Sequence, residues 1–376
     1  MNSDRILASS LIWLALTVSA QAQSLPLRSQ NSNQCLLAQG LDSSLTPQGK
    51  AQLSQAISYS LRYLGTNKAA KDYARYPVPG ITRDRVRRSL HRFQQLLQQS
   101  PSPEALQASL AREFVCYQAI GNDGAGRVEF TGYFTPTYPA SRVKTNEFTY
   151  PLYRKPRNFA NWPSPHPTRV QLEGENGLLL DKSRLAGQEL VWLRDRMSAF
   201  LVQVQGSAQL RLTTGQTMTI GFAGSTDYPY TSIGRQLVEA GIFTLEELTL
   251  PLLIEYFEQN PGELDQYISR NERYIFFQET NGAPPTGSIG VPVIADRSIA
   301  TDKSLMPPGA IATIQARVPN QNLQITPVNR FVLDHDTGSA IKGPGRVDVF
   351  LGSGDLAGER AGLLNSEGAL YYLLLK

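Results

Sequence analysis

The 376-residue sequence predicts an α+β fold, mainly β, with a β-barrel or sandwich at its core. Helix-type periodicity gathers in the first third and in one later stretch, and alternating runs fill the rest. Strands and helices therefore segregate instead of forming βαβ units. No segment repeats at a fixed period. Apolar residues make up 41% and charged residues 18%, which excludes general disorder and gives a chain of this length material for two domains.

The opening residues 1–22 read as a secretory signal. Arg5 precedes an apolar run from Ile6 to Leu16, and Ala20-Gln21-Ala22 supplies the small residues of a cleavage site after Ala22. That run is broken by Ser9 and Ser10 and is short for a membrane span, and no second run of about 18 apolar residues follows. The mature protein is expected to be exported and without a transmembrane span. Gln23, not Cys, stands at the cleavage point, so no lipid-attachment Cys is expected there. An oxidising compartment permits a Cys35–Cys116 disulfide; two partly buried free thiols are the other reading.

Thr46-Pro47 supplies an N-cap and first-turn proline for a helix with the stripe Leu53, Ile57, Leu61 and Leu64, ended by Gly65. A second stripe is Val86, Leu90, Phe93 and Leu97. Ser102-Pro103 starts a third helix containing Leu106, Leu110 and Phe114. Arg85, Arg88 and Arg92 lie opposite the second stripe, as a solvated helix face or one that meets an anionic polymer. Residues 128–134 and 200–205 alternate as strands do, and 210–220 reads as a hairpin turning at Gly215. Residues 158–166, rich in Pro and aromatics, read as a loop. Helices return over 232–240, ended by Gly241, and from Thr244, where Glu247 completes a capping box, towards Phe257. Further strands are predicted at 274–277, 310–318, 330–333, 347–351 and 371–375.

The balance of 36 Lys and Arg against 32 Asp and Glu leaves a formal charge of +4, too little over this length for a nucleic-acid-binding protein. Three His and two Cys exclude a zinc ribbon, an iron–sulfur cluster or a multi-His centre, so no metal or other cofactor is expected.

The densest cluster of special residues carries Asp336, Asp348 and Asp355 among Gly and Ser. Asp348 lies between Val347 and Val349, so alternation turns its side chain to the opposite face. A carboxyl against low-dielectric walls has a raised pKa, as a general acid requires. The plainer reading is a turn-rich barrel end where Asp caps loops and Gly permits positive φ. Asp336-Thr337-Gly338-Ser339 also has the local form of an aspartic protease. That chemistry needs a second such carboxylate, which the chain lacks, and only 40 residues follow Asp336. Gly352-Ser353-Gly354 with Gly358 mimics a dinucleotide loop but leaves 18 residues, too few for the rest of that fold. Glycan cleavage fits better: it needs one well-placed neutral carboxyl, with aromatic, amide and hydroxyl groups to hold sugar rings.

From about Arg127 onward the sequence resembles the murein lytic transglycosylase A family. The resemblance rests on Thr131-Gly132-Tyr133-Phe134-Thr135-Pro136, Tyr150-Pro151-Leu152-Tyr153, Val204-Gln205-Gly206-Ser207 and Gly221-Phe222-Ala223-Gly224. It continues through Tyr230-Thr231-Ser232-Ile233-Gly234-Arg235, Arg273-Tyr274-Ile275-Phe276-Phe277, Gly290-Val291-Pro292 and the three-Asp segment. It implies a double-psi β-barrel domain with an inserted smaller β-domain and a groove between them. The expected organisation is residues 23–140 as N-terminal helices and the first part of the barrel, 141–230 as the insert, and 231–376 as the rest of the barrel.

The resemblance further implies cleavage of the MurNAc-β-1,4-GlcNAc bond of peptidoglycan without water, leaving 1,6-anhydro ends. Asp348 would be the single catalytic acid and base, with Asp336, Asp355 and Lys342 in support. Thr135, Gln205, Gly206, Ser207, Tyr133, Tyr228 and Tyr230 would bind the glycan strand, while Trp162, His166 and His335 are read as structural. The implied location is the periplasm, outer membrane or cell wall. The alternative is a wall protein that binds peptidoglycan without cleaving it. Ser339 departs from the family's usual second Gly and is expected to be tolerated unless that position demands positive φ.

Overall fold

A capped helix begins where Thr46-Pro47 predicts it. In this computed structural model, which describes residues 25–31, 35–36, 40–244 and 247–376, the signal-type segment 1–22 lies outside the described residues. Strand β1 (Leu27–Gln30) precedes α1 (Pro47–Leu64), whose first turn is held by the Thr46 hydroxyl accepting from the Gly49 amide at 3.1 Å. After α2 (Asn67–Ala74), α3 (Arg83–Gln99) buries Val86, Leu90, Phe93 and Leu97 on the expected stripe. The Arg face of α3 is tied to the chain itself. Arg85 donates to the Leu375 carbonyl, Arg88 to Asp84, and Arg92 to Glu113. Helix α4 (Pro103–Glu113) ends one residue earlier than its stripe suggests, because Phe114 turns extended and opens β2 (Phe114–Ala119).

β3 (Val128–Thr135) leads into a second unit through β4 (Thr137–Ser141), β5 (Tyr150–Tyr153), the short α5 (Arg169–Glu173) and β6 (Glu189–Leu193). Residues 200–205, which alternate as a strand would, instead lie in α6 (Arg196–Gln205). Asp195 caps this helix by accepting from the Ser198 amide at 2.7 Å, and Phe200, Leu201, Val202 and Gln203 are all buried. A helix buried on several faces loses the amphipathic signal that separates it from a strand. Gly206, left-handed at φ 75°, ends it. The hairpin of β7 (Ser207–Leu212) and β8 (Thr217–Ser225) turns at Gly215 as expected.

Next come α7 (Ile233–Glu239), α8 (Leu250–Gln259), α9 (Pro261–Ser269) and β9 (Ile275–Glu279). The Thr244–Glu247 box forms, yet α8 starts only after Thr249, whose hydroxyl accepts from Leu252 and which is followed by Pro251 in the first turn. The second sheet has the order β5-β6-β4-β7-β8-β9.

The chain returns with β10 (Ser298–Ala300), β11 (Ile311–Pro319), β12 (Ile325–Asp336), β13 (Arg346–Ser353), α10 (Asp355–Leu363) and β14 (Asn365–Leu375). Their pairing runs β14-β11-β12-β10-β13-β3, and β3 pairs back to β14, which closes a six-stranded barrel with β2 and β1 added at one edge. β13 pairs with β3, and β10 with β12, in parallel. Among the described residues no helix is long and apolar enough to cross a membrane.

Cys35 and Cys116 form a disulfide, with Cα atoms 6.5 Å apart across a sequence separation of 81. The open choice at these thiols thus resolves to a bond that ties the N-terminal segment to β2. Chain-entropy reasoning gives a loop of this length up to about 4.5 kcal/mol of stabilisation. Cys116→Ser is therefore expected to lower the urea midpoint, and reductant should destabilise the native protein but not the variant.

Candidate active site

Strand period sorts β13 into two faces. Val347, Val349 and Leu351 enter the barrel core, and Arg346, Asp348 and Phe350 share the other face. In the parallel register these three lie beside Glu129, Thr131 and Tyr133 of β3. The Thr131 hydroxyl donates to Asp348 Oδ1 at 2.9 Å, and the Tyr133 and Phe350 rings pack with centroids 5.1 Å apart. On its other side β13 meets β10, where Ala300 pairs with Asp348 and, across β10, with Asp336. Two strand spacings put the Asp336 and Asp348 backbones about 10 Å apart.

The two carboxyls have different surroundings. Asp336 Oδ1 accepts from the Ser288 and Thr337 amides, both at 2.8 Å, and Oδ2 accepts from the Tyr133 hydroxyl at 3.0 Å. Burial raises its pKa, while these donors and Lys303 pull the other way. Asp348 keeps partial solvent contact and, among the described residues, a single side-chain donor, Thr131. Burial pushes its carboxyl up to about 6; the charge of Asp336 adds to the rise, and Arg346 and Thr131 oppose it. Beneath lies a buried ionic cluster. Lys303 pairs with Asp334 and donates to the Asp336 carbonyl, while Thr301 and Tyr372 each donate to Asp334 Oδ2 at 2.8 Å.

A second group sits where barrel and second sheet meet. The Thr135 hydroxyl lies 3.1 Å from the Ser207 hydroxyl, and Gln205 accepts from the Phe134 amide at 3.1 Å. Gly206 makes the left-handed turn between them. The Thr135 carbonyl accepts from Gly354, whose next residue, Asp355, is exposed in the first turn of α10. The charges acting on Asp348 are those of Arg346 and Asp336, not that of Asp355. Lys342 is exposed, with its charge acting on Asp302. Tyr228 donates to the His166 carbonyl at 2.6 Å, and Tyr230 packs against the α7–α9 cluster; both stay partly exposed. His335 is sealed between Ser60 and Ser298, each 2.9 Å away, and burial pushes its pKa down to about 3, so it is neutral and structural. Trp162 and His166 pack on Phe159. Ser339 is exposed and has no left-handed backbone.

The sequence matches the family descriptions "MltA specific insert domain" over residues 129–278 and "3D domain" over residues 297–374. It is 32% identical to the membrane-bound lytic murein transglycosylase A of Escherichia coli K12, covering 68% of each chain, and 30% identical to that of Vibrio cholerae, covering 69% of this chain and 68% of the relative. The chain belongs to the MltA family. Among solved structures, a membrane-bound lytic murein transglycosylase from Agrobacterium tumefaciens superposes with a TM-score of 0.70 at 27% identity, covering 85% of this chain and 92% of that one. E. coli MltA with bound chitohexaose gives 0.66 at 25% identity, covering 85% and 89%.

Within this MltA fold, sequence reasoning missed Thr131 as the partner of Asp348, and Arg346, Glu129, Lys303 and Asp334 altogether. Only the parallel β3–β13 register could have revealed the first three, and it joins strands more than two hundred residues apart. Gly132 lets α10 pack closely on the core face of β3, opposite Thr131 and Asp348. A Cβ there would lie 2.7 Å from Leu351 Cδ1 and 2.9 Å from the Ala361 backbone. Gly132→Val is therefore expected to cost about 2–3 kcal/mol in urea unfolding through overpacking.

Proposed function

We propose that this protein cleaves the MurNAc-β-1,4-GlcNAc bond of peptidoglycan without water, using Asp348 first as acid and then as base. The observation that carries this reading is the unequal pair of carboxyls. Asp348 is held at about 6 and open to solvent on one side, whereas three internal donors occupy Asp336. A glycosidase that uses water needs a second free carboxylate as nucleophile or base. With Asp336 engaged, attack by the substrate's own C6 hydroxyl supplies the missing nucleophile. Protonated Asp348 gives its proton to the glycosidic oxygen as the C1–O bond breaks. The C6 oxygen closes on C1, and its proton returns to the Asp348 carboxylate. The tethered nucleophile makes this closure entropically favourable.

Thr135, Gln205, Gly206, Ser207 and Tyr133 are proposed to line the path of the strand, and Asp336 to hold the loop ends beside the acid. Asp355 supports by starting α10, and Lys342, Tyr228 and Tyr230 are kept as outer contacts. The insert expected at 141–230 is proposed to extend to Thr137 and Glu279, where the second sheet begins and ends. The relatives' names place them at a membrane, and an exported, wall-associated enzyme is proposed here.

The acid must carry its proton, so activity on purified sacculi is expected to fall as pH rises through about 6. Soluble muropeptides, followed against pH, check this. Binding of sacculi with no release at any pH would instead establish the non-cleaving wall protein.

A further inference from the structure

We infer that Arg346, held by Glu129 and acting through Thr131, is a positioning residue that fixes which oxygen of Asp348 carries the transferable proton and eases its return to the carboxylate. The inference rests on the transglycosylase reading and goes beyond it by adding a control of the acid. Arg346 Nη2 donates to Thr131 Oγ1 at 3.1 Å, and its Nη1 pairs with Glu129. A guanidinium only donates, so it occupies a lone pair of the hydroxyl and leaves Thr131 one proton to give. That proton goes to Asp348 Oδ1, 2.9 Å away. Oδ1 is then an acceptor in both protonation states, and the proton delivered to the glycosidic oxygen resides on Oδ2.

The strand register builds this line. Arg346 and Asp348 are two residues apart on β13, opposite Glu129 and Thr131 on β3, so all four side chains share one face. The Arg346 side chain is only 23% exposed, which limits screening of its charge by water. It favours the carboxylate, the form left after proton delivery and needed to accept the C6 proton. Glu129 tempers it.

The other groups facing Asp348 are known. Asp336, with Lys303 behind it, bears on it from β12, and Tyr133 is un-ionised because burial and the nearby Asp residues raise its pKa. β10 contributes Ala300, which cannot titrate.

The test is the pH profile of anhydro-muropeptide release, with circular dichroism confirming the fold of each variant. Arg346→Met is expected to move the alkaline limb upward by about half to one pH unit and to slow turnover about tenfold, with little change in KM. Glu129→Gln is expected to move the limb the opposite way, and Arg346→Lys to bring it back towards the wild-type position. Thr131→Val should raise the limb, and adding it to Arg346→Met should give less than the product of the two single losses. A folded Arg346→Met protein with an unmoved limb, or shifts of the same sign in Arg346→Met and Glu129→Gln, would overturn the inference and leave the transglycosylase reading standing. A wild type that releases no anhydro ends would take both down.

Discussion

Asp348→Asn is expected to lower muropeptide release at least a thousandfold while making the protein more stable at neutral pH. The activity loss is the removal of the sole proton donor, an effect that general acid catalysis places at about 10²–10⁴-fold. Here the same side chain also serves as base, so the upper part of that range applies. The stability gain follows from linkage. The folded-state pKa of Asp348 lies near 6, above the ordinary 3.8, so the native state holds its proton more tightly than the unfolded chain. Wild-type stability therefore declines as pH climbs from about 4 to 6 and stays lower above that range. Asparagine removes this loss. After discounting for residual solvent contact, the gain at pH 7.5 is about 1–2 kcal/mol and should vanish at pH 4. Urea melts at the two pH values, beside turnover assays, measure both halves. A variant both inactive and unstable at pH 7.5 would mean that Asp348 serves the fold.

Lys303→Met should produce the second large effect, this time on stability. Lys303 is the cation paired with Asp334, a completely buried carboxylate that, among the described residues, is otherwise held only by the hydroxyls of Thr301 and Tyr372. Removing one partner of a buried pair leaves an uncompensated charge, at a cost of about 3–5 kcal/mol. Burial already raises the Asp334 pKa, and loss of Lys303 raises it further. The variant's folded state then takes up a proton more readily than its unfolded state, so its stability falls as pH rises. The deficit against wild type should accordingly be larger at pH 8 than at pH 4.5. Adding Asp334→Asn should recover part of the loss at pH 8. Lys303 also donates to the Asp336 carbonyl, so some activity should be lost as the site loosens.

Much of the fold is written in local pattern. The stripes of α1 and α3 and the alternation of β3 and β13 follow from burial on one face, and each is where its spacing predicts. Elements failed where local pattern and environment part. α6 is wrapped by the core on several sides, and α10 follows a Gly-rich turn with no side-chain cap at Gly354. The site divides in the same way. Asp348 betrays itself as a charge inside an apolar strand. Arg346 and Thr131 do not, because their roles exist only once two distant strands lie in parallel register. Tyr228 and Tyr230, sugar contacts that the resemblance alone implies, also brace the fold, through a bond to the loop at His166 and packing on the α7–α9 cluster.

Digestion of purified sacculi in heavy-oxygen water, read by mass spectrometry, tests the central claim most directly. Intramolecular closure predicts new muramyl ends that lack one water and carry no label, and none at all with Asp348→Asn. New reducing ends carrying the heavy oxygen would contradict it, showing that water and not the C6 hydroxyl attacks C1.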